Sequence, residues 1–195
     1  MNDQMMYYMS TAQVSGEVVV ETERGLVSDS RRVLLGEEKL VEPAILHIKM
    51  GRKHCDFIAS TYVDINLVSE RFAAGLQESA FSGIEFVKTE IYDKSGNRVN
   101  RTYFIMVVNG RLGKIDWSNS AIIEKPPRVP SGRPYRVHKG LHFEKSSLEQ
   151  KDFSVPVGSG MVIISSRVAE WIVRSKMTNV CLCLCEEYES SSIIN

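Results

Sequence analysis

Two ungapped stretches 96 positions apart, residues 65–87 (INLVSERFAAGLQESAFSGIEFV) and 161–183 (MVIISSRVAEWIVRSKMTNVCLC), follow one plan. Four positions are identical: Ser69/Ser165, Arg71/Arg167, Ala73/Ala169 and Ser79/Ser175. The shared physical roles say more than the identities. Val68/Ile164, Phe72/Val168 and Leu76/Ile172 place apolar residues at i, i+4 and i+8, which marks one buried stripe of a helix. Gly83 and Asn179 then stand where a left-handed residue often ends a helix, and an apolar strand follows. Each copy predicts a short strand, a helix opened by Ser-x-Arg, a stop and a second strand. An internal duplication explains this; chance similarity of two helix-to-strand units is the alternative. Either way these are scaffold features.

The chain has 195 residues, no formal net charge and a near-neutral pI. That length can bury a core without covalent staples. Zero net charge argues against general nucleic-acid or membrane binding. Residues 1–20 lack a basic region followed by a long apolar one, so no signal peptide is expected, and no apolar run approaches a membrane span. A cytoplasmic protein is expected. Four cysteines, three of them within five residues, do not make a secreted disulfide framework.

The expected fold class is α+β: a mixed, largely antiparallel sheet with the strand-helix-strand pseudo-repeat and few helices. A strand is expected over 13–23, further short strands or connections over 42–50 and 57–65, a helix over 68–79, and a strand over 84–92 ending in the turn cluster 93–97. Residues 101–108 form a further apolar strand. It stops at Asn109-Gly110, which suits a type I′ hairpin turn returning through 112–117 as an antiparallel meander. Residues 124–134 (EKPPRVPSGRP) hold four of the six prolines and cannot be central sheet. They form a hinge or an ordered surface loop, so the chain is one domain with possible sub-lobes 1–123 and 135–195. After the second helix, residues 180–185 are a strand, and the tail 186–195 is expected to fray.

Few residue patterns point to chemistry. Cys181, Cys183 and Cys185 alternate with aliphatics, so their sulfurs share one strand face. Zinc sites favour knuckle spacings that converge, and cysteine is also a small hydrophobe, so a buried central strand is expected. His138 and His142 are four apart, but Gly140 and Pro134 disfavour a helix; with His47 and His54 they read as structural or surface residues. Cys55 beside His54 would point the opposite way on a strand. No phosphate loop, dinucleotide fingerprint, nucleophile elbow or zincin motif is present. Ser69 or Asn66 is expected to cap the first helix, Glu70 to complement its dipole and Arg71 to be solvated. The sharper alternative makes Arg71 and Arg167 anchors that pair with carboxylates across the pseudo-repeat. Residues 124–145 carry six Lys/Arg against two glutamates, which reads either as a recognition surface for an acidic partner or as a solvated connection.

The order LVSERF, then GIEFV, then a strand and Ile115-Asp116-Trp117-Ser118-x-Ser120 resembles a bacterial polymorphic-toxin immunity family, the eleventh in the usual numbering and formerly a domain of unknown function. The second Ser-x-Arg helix is similar to that family too, with Ser166 in place of the glutamate. The resemblance covers residues 62–120 and 161–185. It implies a small cytoplasmic protein of a polymorphic toxin system, as in type VI secretion and interbacterial competition. Such a protein binds its cognate toxin or effector one to one and occludes it, with no cofactor, metal or covalent step. Aromatic and arginine side chains are the commonest interface anchors. Asp116, Trp117, Arg128, Arg133 and Arg136 are therefore the expected toxin contacts, and Trp171, inside a helix, is expected in the core. Two other classes stay open: a hydrolase that reverses a toxin-made modification, and a generic adaptor. A homo-oligomer through an exposed sheet edge is compatible with each.

Overall fold

The computed structural model describes residues 5–22, 28–62, 64–145 and 151–190. In chain order the elements are β1 (Met6–Thr11), β2 (Val19–Thr22), α1 (Ser30–Leu34), β3 (Ala44–Met50), β4 (Phe57–Ala59), β5 (Asn66–Ser69), α2 (Glu70–Glu78), β6 (Ile84–Tyr92), β7 (Tyr103–Val108), β8 (Arg111–Leu112), β9 (Ala121–Lys125), β10 (Tyr135–Lys139), β11 (Phe153–Pro156), β12 (Val162–Ser165), α3 (Ser166–Arg174) and β13 (Val180–Leu184). Single 3-10 turns follow β8 (Trp117–Asn119) and β13 (Cys185–Glu187). The strands form a sheet of order β2-β3-β6-β7-β5-β4, a second of order β13-β1-β12-β11-β8, and the ribbon β9-β10. This is the expected α+β class, strand-rich with few helices.

The pseudo-repeat is real in three dimensions, and it is permuted. In the first unit β7 runs antiparallel between β5 and β6, with Ser69 opposite Tyr103 and Ile84 opposite Val108. In the second unit β12 and β13 take the places of β5 and β6, and the strand between them is β1. Ser165 lies opposite Met6 and Val180 opposite Thr11, the same registers. The flanking hydrogen bonds also repeat: Glu70 N donates to Thr102 O and Ser166 N to Met5 O, each at 3.1 Å. Both helices end on equivalent left-handed residues, Ala80 (φ 49°) and Lys176 (φ 51°), then Gly83 (φ 88°) and Asn179 (φ 64°).

Three apolar clusters hold these layers together. The largest sits where α2 and α3 pack on both sheets, with Phe57, Phe72, Phe153, Val168 and Ile172 at its centre. Trp171 belongs to it, as expected, and makes edge contacts with Phe72 (5.7 Å) and Phe81 (6.0 Å). A second cluster, including Leu46, Ile58, Leu67 and Ile105, fills the other face of the six-stranded sheet. A third, built on Leu112, Leu141, Ile163 and Cys185, lies under Met6, Tyr8, Trp117 and Tyr188.

Several expectations are corrected. The Asn109-Gly110 hairpin does not form, because neither residue has the positive φ that a type I′ turn needs. Instead β8 pairs in parallel with β11, and Gly110 is required because a Cβ there would collide with Phe153 O. The strand expected over 13–23 is broken by left-handed Gln13 and Gly16 and begins at Val19; Glu23 lies outside the described residues. The stretch 57–65, expected as a short strand or a connection, is strand over Phe57–Ala59 and then turns, with Ser60 Oγ bonded to Tyr62 O and N. Val68 is strand, and α2 starts after the cap Ser69, whose Oγ accepts from Phe72 N at 3.2 Å. The strand carrying the cysteines lies at an edge of its sheet, with Cys181 exposed, Cys183 half-buried and Cys185 buried. Residues 186–190 do not fray. Tyr188 packs edge-on against Tyr8 at 5.3 Å, and Ser190 N donates to His138 O at 2.9 Å. Residues 191–195 lie outside the described residues.

Candidate protein-binding surface

The proline-rich stretch is the tip of an arm. β9 and β10 pair antiparallel with Arg136 opposite Glu124 and His138 opposite Ile122. Period-two alternation puts these four on one face, and Tyr135, Val137 and Lys139 on the other. Val137 is buried, so the second face is turned inward. The arm is tied down along its length, near its base by Ser120 Oγ to Gly140 O (2.7 Å) and His138 N to Ser190 Oγ (3.1 Å), and near its tip by Lys125 to Glu189 (2.6 Å). Prolines at 126, 127, 130 and 134 stiffen the connecting loop.

The five expected contact residues fall along this arm. Asp116 caps the 3-10 turn at its root, accepting from Ser118 N (3.0 Å) and Asn119 Nδ2 (2.6 Å). The Ser118 hydroxyl, foremost among these donors, holds its carboxyl below the ordinary range. Half-buried Trp117 stacks on His138 with centroids 5.1 Å apart. Arg136 is exposed two residues along the same strand face, next to Ile122, which is 55 % exposed. Arg128 and Arg133 are exposed in the loop at the tip, and the Arg128 guanidinium lies 4.8 Å from the Tyr135 ring centroid. Trp117, His138 and Arg136 are therefore brought together, whereas the Asp116 carboxylate serves its own turn. Ile122 and exposed Val129 were not singled out in the sequence, and His138 was read there as a structural or surface residue; the alternation of 135–139 is the signal that would have placed it beside Arg136.

A polar concavity lies elsewhere. A cleft of about 500 Å³ is lined by His54, Cys55, Asp56, Arg71, Arg101 and Tyr103 among others. Asp56 accepts from Arg71 Nη2 (2.5 Å), Ser69 Oγ (2.8 Å), Thr178 N (2.9 Å) and Thr178 Oγ1 (2.8 Å). Burial works to raise its pKa, but Arg71, Thr178 and Ser69 together outweigh that and hold it at about 2. The second unit repeats this arrangement. Asp152 accepts from Arg167 Nη2 (2.7 Å), Ser165 Oγ (2.9 Å), Ser82 N (2.9 Å) and Ser82 Oγ (3.0 Å), and its pKa is lowered against the pull of burial.

Asp56 thus belongs to the first unit and clasps Thr178 of the second, while Asp152 belongs to the second and clasps Ser82 of the first. Exchange of equivalent contacts is the mark of an isologous interface. Arg71 and Arg167 are anchors that orient these carboxylates, so the expectation of a merely solvated Arg71 is corrected; the alternative is corrected too, because each arginine pairs with the carboxylate of its own unit and the carboxylates' crossing contacts are made by Thr178 and Ser82. A constellation that recurs at both ends of a seam is explained by the seam. The neighbouring groups are quiet: burial pushes the Cys55 thiol up, and pushes Tyr103 up to about 12. Tyr103 Oη donates to Cys55 O at 3.0 Å. Burial lowers the His54 pKa. His47 packs on Tyr92 and His54 on Tyr103, so these histidines do not converge with His138. Among the described residues no group of three or more His, Cys, Asp or Glu is placed to hold a metal ion, and no helix is long and apolar enough to cross a membrane.

No curated protein matches this chain. A family model described as immunity protein family (Imm11) matches residues 7–186, which takes in both pseudo-repeat units, the permuted strand β1 and the arm. The chain belongs to the Imm11 immunity protein family.

Proposed function

We propose that this protein neutralises one cognate toxin in the cytoplasm of the cell that makes it, by one-to-one occlusion and without a covalent step. The arm is the contact surface in this reading. The observation that carries it is the placement of Arg128, Arg133 and Arg136, all exposed, on one proline-stiffened hairpin of a chain with no net charge. A stiff loop loses little entropy on docking, and arginine and tryptophan are the side chains best suited to anchor an interface. The partner surface it suits is an acidic cleft. The fully bonded Asp56 and the raised Cys55 thiol favour binding over catalysis at the polar cleft.

The test is co-expression with the toxin encoded beside it. Rescue of growth should track stoichiometric amounts of this protein, and the two should co-purify as a one-to-one complex. Combined reversal of Arg128, Arg133 and Arg136 to glutamate should abolish rescue while leaving the circular-dichroism spectrum unchanged. Rescue at substoichiometric amounts would instead establish the hydrolase reading.

A further inference from the structure

β13 ends its sheet, and its hydrogen-bonding edge is open among the described residues. Ala12 N donates to Asn179 O at 3.0 Å, and Thr11 lies opposite Val180. Alternation of paired and unpaired positions in an antiparallel ladder then directs the backbone groups of Cys181 and Cys183 toward β1. Those of Val180, Leu182 and Leu184 point outward. Edge strands are ordinarily guarded by charge, proline or a bulge. The equivalent stretch of the first unit, Ile84 to Lys88, carries Glu85 and Lys88, both exposed. β13 reads VCLCL and carries no guard.

We propose that β13 is a self-association edge that pairs antiparallel with β13 of a second copy about a twofold axis through Leu182. The occupant is argued from the strand itself. Only outward-pointing residues can form the hydrogen-bonded pairs, so Leu182 meets its own copy and Val180 meets Leu184 of the partner subunit. No charge is buried and no like charges oppose each other. Cys181 then faces Cys183 of the partner subunit at a non-hydrogen-bonded position, where Cα atoms are about 4.5 Å apart. That separation lies within the span a disulfide can bridge. A five-residue ladder buries far less than the roughly 1,600 Å² of a standard stable interface, so the dimer is weak and concentration-dependent. The arm lies outside this edge, so the inference goes beyond toxin binding and stands independently of it.

The register gives the test a signature. Two equivalents of copper(II)-phenanthroline take one electron each from a facing pair of thiols and are reduced to copper(I), the two thiol protons pass to the buffer, and one disulfide forms. The full-length wild-type chain should form a crosslinked dimer whose yield rises with protein concentration. Cys181→Ser and Cys183→Ser should each lose the crosslink, because each removes one member of every facing pair. An equimolar mixture of the two variants should recover it, since Cys183 of one copy then meets Cys181 of the partner subunit. In sedimentation without oxidant, Cys181→Lys, a change at an exposed position, should remain folded and lose the dimer. A monomer at all concentrations, or single variants that crosslink as well as the wild type, would overturn the proposal.

Discussion

Trp171 lies against Gly75, and the two occupy the same position in the two pseudo-repeat units, 96 residues apart. Where the helices meet, one unit supplies a large side chain and the other supplies none. A Cβ at Gly75 would collide with the indole Cζ2.

Gly75→Ala in a helix interior would ordinarily stabilise by up to about 1 kcal/mol. Here it is expected to destabilise by about 1–3 kcal/mol through overpacking, measured by urea denaturation. Trp171→Ala should cost about 3–5 kcal/mol, and the double variant should be less stable than wild type by less than the sum. We read the chain as a single domain across this seam, so each variant should still unfold in one transition.

Acid should loosen the Asp56 clasp before it unfolds the chain outright. The folded-state pKa, about 2, lies below the ordinary value of 3.8. Its contribution is therefore fully present above pH ~4 and is lost as pH falls toward 2. Because Arg71 is more than half exposed, that contribution is taken as roughly 1–2 kcal/mol. Asp56→Asn should be destabilised by this order at pH 7, and the gap to wild type should narrow below pH 3 in denaturation midpoints.

Asn179 and Gly83 share a left-handed role, yet they are not exchangeable. Asn179 Nδ2 donates to Phe57 O (2.7 Å) and contacts Glu17, and its Oδ1 accepts from Val14 N (3.1 Å). Asn179→Gly eases the backbone but strips partners from a buried carbonyl, so a net loss of about 1–3 kcal/mol is expected by thermal denaturation. A side chain at Gly83 would strike Phe153 O, and Gly83→Asn should be worse still.

At the root of the arm, Trp117→Ala should weaken toxin binding by at least about 2 kcal/mol, or roughly thirtyfold, by calorimetric titration. Lys88→Ala, on the opposite sheet, should leave affinity unchanged. Equal affinity for the Trp117 variant would move the interface away from the arm.

The pseudo-repeat was legible because α2 and α3 bury one stripe each and stop on equivalent left-handed residues. β1 was not, because Tyr7 and Met9 face one cluster while Met6 and Tyr8 face another. A strand apolar on both sides has no alternation to read. The clasps were missed for a simpler reason. Asp56-Phe57 and Asp152-Phe153 also stand 96 apart, but upstream of the stretch in which the match is visible. The dipeptide at Asn109-Gly110 misled because its glycine serves a close approach to another strand, whereas a turn would have needed positive φ. Arg128, Arg133 and Arg136 stood out by charge and proline content, whereas the packing of His138 on Trp117 follows only from the fold.

The permuted strand has a consequence for biogenesis. Met6 is made long before its neighbours, since the slot it fills lies between strands ending at Ser165 and beginning at Val180. While the ribosome is still translating the central residues, that apolar strand has nowhere to go and must be kept from nonspecific association, a task suited to chaperones. Closure waits for β13, so a nascent copy offers its cell no finished shield until Leu184 has been translated.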